Sequence, residues 1–191
     1  KGWTQGELAK AAGYTERTIR KAEKGGRLEL TTVENLAEAL SLPVATLTLD
    51  IAAIARKWVE AYETLESRML PEIEPYLAAD FEFICPGDPA TAPFIGTWKG
   101  AAGLQQWLDL FFGFFHREKN TDIEYMVGDN TVVARWMESG KFQGYPCGPV
   151  RINMHFRFRD GMIIRIEDDY DTHAGAQSVN EAKLKVQQRK P

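Results

Sequence analysis

The 191-residue sequence predicts two domains of different class: an all-α unit of short helices, then an α+β domain in which helices cover one face of a curved antiparallel sheet. Three observations predict this. The opening forty-odd residues carry short, capped helices separated by glycine; the apolar spacing changes from three-and-four to strict alternation at Asp122; and the length exceeds the ~100 to 150 residues of one typical domain.

The first element is announced by Thr4-Gln5-Gly6-Glu7, a box in which the Thr hydroxyl and the Glu carboxylate satisfy orphan amides at a helix start. Leu8, Ala11 and Ala12 recur at helical spacing, and Gly13 supplies the positive φ that ends the helix and turns the chain. Thr15 caps a second helix, Glu16 to Lys24, which stops at Gly25-Gly26, and a second box, Thr31 to Glu34, is expected to open a third. Two closely spaced helices joined by a glycine turn read as helix-turn-helix, whose second helix enters the DNA major groove. Ile19 and Ala22 face the core, leaving Glu16, Arg17 and Lys21 outward with Thr18 beside them. Arg forks onto guanine and Glu accepts from the cytosine amino group. From Lys10 to Arg27 six basic residues oppose two acidic ones, a local charge of plus four on a chain of net charge -4, as a phosphate-facing patch requires.

A boundary is expected near Leu42-Pro43, with a connector from Thr46 to Asp50. Ile51, Ile54, Ala55, Trp58, Ala61, Tyr62 and Leu65 then form the apolar stripe of a long helix. A short helix from Pro71 to Leu77, a strand from Phe81 to Cys85 and an apolar helix from Ala101 to about Phe115 follow. Ile123, Tyr125 and Val127 alternate up to a Gly128-Asp129-Asn130 turn, and Val132, Ala134, Trp136, Glu138 and Phe142 share one strand face. Tyr145 to Pro149 reads as a loop; Ile152, Met154, Phe156 and Phe158 alternate along the next strand, and Arg159-Asp160-Gly161 makes a hairpin. The last strand puts Ile164, Ile166, Asp168 and Tyr170 on one face, and Gly175 to Pro191 reads as a polar tail that frays or forms a short helix.

Composition narrows the function classes. A hydrophobic content of 44% without any run near the ~20 apolar residues of a membrane span predicts a soluble chain with no membrane partner. Cys85 and Cys147 have no metal-ligand or redox spacing, which fits a reducing cytoplasm. His116, His155 and His173 are scattered, so neither a metal site nor a cofactor is expected.

The segments "TQGELAKAAGYTERTIRKAEKG" and "TTVENLAEALSLP" resemble the XRE/Cro family of helix-turn-helix domains, through Thr4, Gln5, Leu8, Ala9, Gly13, Ile19, Glu23 and Gly25. The resemblance implies double-stranded DNA as partner and assigns Thr4 and Gln5 to a phosphate at a helix N-terminus. Lys1 leaves no room for the family's first helix, so a fragment with an incomplete DNA-binding domain is expected, and the family's proline after the glycine is missing. Further on, "YLAADFEFICPGDPATAPFIGTWKG" and "FRFRDGMIIRIEDDYD" resemble the SnoaL-like, nuclear transport factor 2-like superfamily. That resemblance implies a cone-like α+β barrel with an apolar cavity, used by enzymes, binding modules and dimerisation units alike. The expected organisation is therefore a DNA-binding domain at 1–47, a SnoaL-like domain at 48–175 and a polar tail at 176–191.

Side-chain parity nominates Trp58, Tyr62, Phe83, Cys85, Trp107, Phe111, Phe115, Trp136 and Met154 for the cavity wall, together with Glu138 and Asp168. These two carboxylates stand on otherwise apolar strand faces, where a buried charge costs several kcal/mol unless paired or protonated. Two readings follow for them. In one, Asp168 is a base removing a proton alpha to a carbonyl while Glu138 or Tyr62 donates a hydrogen bond, which is cyclase or isomerase chemistry. In the other they are held by Arg and backbone groups at the cavity rim. The resemblance weighs against an enzyme: the ketosteroid isomerase branch places its base where this chain has Cys85, and the Arg-x-Asp of the epoxide hydrolase branch is Arg135-Trp136-Met137 here. The expected function is a cytoplasmic transcription regulator, a homodimer whose second domain senses a small apolar or amphipathic molecule, with a SnoaL-like enzyme or a ligand-free scaffold as alternatives.

Overall fold

The computed structural model describes residues 1–26, 28–42, 47, 50–120 and 122–188, so Arg27, most of the expected boundary and connector (Pro43 to Thr46, Thr48 and Leu49) and the last three residues lie outside the described residues. The chain divides into two compact units, Lys1–Asp50 and Ile51–Pro191.

In the first unit, α1 (Gln5–Ala12) starts at Thr4, whose hydroxyl accepts from Glu7 N while Glu7 Oε2 accepts from Thr4 N at 2.7 Å, and it ends at Gly13 with φ 75. Helix α2 (Glu16–Glu23) is capped by the Thr15 hydroxyl, which accepts from Thr18 N at 3.3 Å. Helix α3 (Leu30–Leu40) departs from expectation, because it begins at Leu30 behind Glu29 and uses no side-chain cap. Thr31 is therefore inside the first turn and Thr32 is buried; packing of Thr32 and Leu36 against the other helices sets the helix phase. Ala9, Ile19 and Leu36 form the core of this unit, one residue from each helix.

In the second unit, α4 (Ile51–Leu65) is followed by a 3-10 turn, Glu66–Arg68, a short α5 (Leu70–Ile73) and a second 3-10 turn, Glu74–Tyr76. Strands β1 (Leu77–Cys85) and β2 (Gly96–Lys99) lead into α6 (Gly100–Phe114). Then come β3 (His116–Arg117), β4 (Glu124–Val127), β5 (Thr131–Phe142), β6 (Tyr145–Arg159), β7 (Met162–Tyr170) and α7 (Thr172–Gln188). The sheet order is β2-β1-β7-β6-β5-β3, with β4 also paired to β5; β1 and β7 run parallel and the other pairs antiparallel. Helices α4 and α6 bury Trp58, Tyr62, Leu104, Trp107 and Phe111 against the inward side chains of β1, β5, β6 and β7.

Four local expectations change. Tyr145 to Pro149 is not a loop but the start of β6, because Gln143 and Gly144, both at positive φ, make the turn and Tyr145 pairs directly with Phe142. Ile163, not Ile164, is fully buried on β7, since the ladder shifts between Arg157 and Phe158 and the bulge reverses the parity of the strand's first residues. Strands β2 and β3, four and two residues long, were too short to register as alternation. Finally, most of the expected polar tail is the helix α7, which buries Ala182 against Phe142 and Cys147.

Candidate functional site

On α2, Glu16, Arg17 and Lys21 are exposed and Thr18 is half-buried, while Ile19 on the opposite side is buried. Glu16 accepts from Arg20 at 2.9 Å, but both side chains are more than half exposed, so water screens that pair. The stem of Lys21 lies across Gly26, where an added Cβ would meet Lys21 Cγ at 2.6 Å; only a glycine lets the side chain lie there. At the start of α1, Thr4 is engaged with Glu7, and the Gln5 amide donates to Glu23 at the end of α2. The helix start is thus tied internally to α2.

In the second unit, Trp58, Tyr62, Phe83, Trp107 and Trp136 are at most 2% exposed and pack ring against ring, some stacked and some tilted. These rings, with Cys85 and Met154, pack together in the middle of the cone, and the seven are not among the residues that line the cavity beside them. An open cavity of about 90 Å³ lies to one side, between the loop from Gly87 to Ile95, the end of α6, the strands β5 to β7 and the first turns of α7. Of the nominated residues it takes Phe111, Phe115, Glu138 and Asp168. Phe94, Phe114 and Tyr170 complete its aromatic wall; the loop and α7 that supply the remaining lining had no apolar period to betray them.

Glu138 and Asp168 are each 8% exposed and have opposite environments. Glu138 Oε2 accepts from Arg117 Nε at 2.9 Å, Trp136 Nε1 at 3.2 Å and Tyr62 Oη at 3.4 Å. Arg117, its side chain only 4% exposed, also donates to Glu63 and lies over the Tyr62 ring, 4.0 Å from the centroid. Glu63 in turn accepts from Asn120 N and Nδ2. Burial alone would loosen the Arg117 proton, but Tyr62, Glu138 and Glu63 more than reverse this and raise its pKa. Arg117 stands in the charged run His116-Arg117-Glu118-Lys119 after α6, which carries no apolar period to single it out.

Asp168 has no such support. Its Oδ2 accepts weakly from the Cys85 thiol at 3.9 Å, and its buried Oδ1 has no hydrogen-bond partner. Burial first, then the charges of Glu138 and Asp169, push its carboxyl up to about 8. At neutral pH it is therefore an uncharged acid facing the cavity. Burial also raises the Cys85 thiol and the Tyr170 hydroxyl, the latter donating to Pro86 O at 2.9 Å. Among the described residues no cluster of His, Cys, Asp and Glu could hold a metal ion, and no helix is long and apolar enough to cross a membrane.

A curled sheet wrapped on two helices, with a side cavity carrying paired and unpaired carboxyls, defines an NTF2-like cone preceded by a helical unit. The chain belongs to the SnoaL-like domain family, whose model matches residues 55–166, and it carries a helix-turn-helix domain of the XRE type at residues 1–47. Solved structures agree on the cone. An NTF2-like protein from Burkholderia xenovorans LB400 is 19% identical with a TM-score of 0.60, over 70% of this chain and 98% of that one. The protein TerC, co-crystallised with polyporic acid, is 19% identical with a TM-score of 0.56, over 66% and 98%. A ketosteroid isomerase-like protein from Catenulispora acidiphila, in complex with trimethylamine, is 17% identical with a TM-score of 0.52, over 66% and 92%. None of the curated proteins matches the chain.

Proposed function

We propose that the protein is a cytoplasmic DNA-binding transcription regulator, and that its SnoaL-like domain binds a small molecule in the side cavity and pairs two copies on DNA. The observation that carries this reading is the outward face of α2, where Arg17 and Lys21 stand exposed on a capped helix anchored by Ile19. A buried anchor with basic side chains opposite is what a groove-reading helix requires. Two-fold pairing would match half-sites about one DNA turn, roughly 34 Å, apart. A ligand alters DNA affinity only by binding one dimer arrangement better than the other.

The test is DNA binding by the full chain, with a sequence selected from a random pool and fluorescence anisotropy as readout. Affinity falls steeply with salt, and Arg17→Ala weakens specific binding by about tenfold or more, since a bidentate base contact is worth roughly 1–3 kcal/mol. Unchanged affinity in Arg17→Ala overturns the assignment of the reading face.

A second reading, proton abstraction by Asp168, is favoured by the place of this residue in the cavity wall and by its unpartnered Oδ1. It predicts turnover that is lost in Asp168→Asn. Tyr62 takes no part in it, because its hydroxyl is sealed in the core against Glu138. The fold does not choose the ligand, since two structural relatives hold an acid and an amine respectively. This chain's own lining has to decide.

A further inference from the structure

We propose that the side cavity is a site for a small organic ammonium ion bearing apolar substituents, held by Asp168 and by the ring faces of the surrounding phenylalanines. The inference rests on the small-molecule reading above and gives it a chemical class.

Charge comes first. The lining includes Asp88 at the rim and Glu138 and Asp168 inside, and no Lys, Arg or His. Arg117 reaches Glu138 from behind and is itself shared with Glu63, so the buried trio of two carboxylates and one guanidinium keeps an excess of one negative charge. The charged side chains that line this space are all acids, and Lys183, which reaches the lining at Thr91, is held by Thr91 O at 2.7 Å. The N-terminus of α7, which would otherwise attract an anion, is already capped by Asp171, whose Oδ1 accepts from Ala174 N at 2.9 Å.

Asp168 supplies the second argument. Asp168 lines the cavity, and its buried Oδ1 has no partner, so the side chain has hydrogen-bonding capacity that nothing in the fold uses. A bound ammonium takes over the charge balance that a proton otherwise provides, and an N–H or hydroxyl that it carries, such as the hydroxyl of choline, can donate to the carboxylate.

The wall is the third. Phe94 meets Phe111 at 81° and Phe114 at 72°, and Phe115 meets Phe111 at 53°. An alkylated ammonium is attracted by the face of any of these rings turned towards it, since the face carries the negative end of the ring quadrupole. A cavity of about 90 Å³, judged against a cavity of ~150 Å³ that holds benzene, takes roughly four heavy atoms, the number in a nitrogen and three methyl groups.

Three probes of similar shape separate the possibilities: choline, its uncharged isostere 3,3-dimethylbutan-1-ol, and the anion 3,3-dimethylbutanoate, each titrated calorimetrically into the full chain at pH 8. We expect choline to bind at least tenfold more tightly than the alcohol, the anion not to bind, and Asp168→Asn to erase the preference for choline while still binding the alcohol. Retained alcohol binding certifies that the variant's cavity is intact. At pH 7, titration in two buffers of different ionisation heat should show close to one proton released per choline. The charged or titratable groups facing Asp168 are Tyr62 from α4, Cys85 from β1, Glu138 from β5 with Arg117 behind it, and Asp169 and Tyr170 on its own strand, and none of these is expected to release that proton. Equal binding of choline and the alcohol, preference for the anion, an unaltered preference in Asp168→Asn, or no binding by any probe overturns the proposal. Failure of DNA binding with the choline preference intact sinks the regulator reading alone.

Discussion

Replacing Arg117 by methionine should be among the most damaging single changes in the second unit. The guanidinium is 4% exposed and touches two carboxylates that are themselves about 10% exposed, so its removal leaves Glu63 and Glu138 buried together without a cation. It also uncovers the face of the Tyr62 ring. Breaking a buried ion pair from one side costs about 3–5 kcal/mol, a large share of the roughly 5–15 kcal/mol that holds a typical domain together. Glu138→Gln should cost less, about 1–2 kcal/mol, because Arg117 keeps Glu63 and the amide oxygen still accepts from Trp136. The double variant Arg117→Met/Glu138→Gln then loses less than the sum, with a coupling of at least about 1.5 kcal/mol, since the second change relieves a charge the first one stranded. Urea unfolding followed by tryptophan fluorescence reads this unit selectively: Trp58, Trp98, Trp107 and Trp136 belong to it, and only Trp3 to the first. A loss below about 1 kcal/mol for Arg117→Met, or strictly additive costs, would refute the view that Arg117 is the counter-ion on which the buried carboxylates depend.

Asp168 titrates near 3.9 when unfolded and near 8 when folded, so between those values the native state holds one more proton than the unfolded chain. Stability should fall by about 1.4 kcal/mol per pH unit across that window and level off above it; Asp168→Asn removes the slope, and urea midpoints that keep the wild-type pH dependence would contradict this. Thr15→Ala removes the cap that positions α2 and should cost about 1 kcal/mol in the first unit, with Arg17-dependent DNA binding weakened as the helix start frays; an unshifted circular-dichroism melt would show that the cap is idle. Gly140→Ala drives a methyl into the His116 carbonyl and to 2.6 Å from Phe115 Cζ. It should destabilise the second unit by roughly 1–3 kcal/mol and perturb the cavity wall, and a variant as stable as wild type would mean that β3 can move aside.

How far the chain could be read in advance depended on period and punctuation. Thr4, Gly13 and Thr15 marked helix ends correctly because capping is a local contest between side-chain and backbone groups. The stripe from Ala55 to Tyr62 and the alternation from Val132 to Phe142 marked buried faces because each spans several periods. Thr31 misled because tertiary packing of Thr32 and Leu36 set the phase of α3. Ile163 was misplaced because a bulge is a two-strand event that one strand's sequence does not contain. The carboxylates of the site were visible as anomalies on apolar faces, but their partner was not: Arg117 sits on a two-residue strand in a polar run, and only the pairing of His116 with Lys141 and Arg117 with Gly140 turns it inward. The cavity was displaced for a similar reason, since parity identifies inward side chains without saying whether they meet or leave room.

Binding and turnover ask different things of these carboxyls. Proton abstraction from a neutral carbonyl compound needs Asp168 ionised before the substrate arrives, yet at pH 7 a carboxyl that titrates near 8 is ionised in only about one molecule in ten. That handicap is modest, and many bases tolerate it. The larger obstacle is the developing enolate, which requires a donor within hydrogen-bond reach. Glu138 Oε2 is already taken by three donors, Tyr62 donates into the core, and Tyr170 donates to Pro86 O, so none of the nominated partners of Asp168, nor the neighbouring Tyr170, is free to donate to an enolate. An ammonium ion makes the opposite demand. It brings its own charge, needs an acceptor and a ring face, and draws the proton from Asp168 as it binds, so the feature that handicaps catalysis becomes the source of selectivity for a cation.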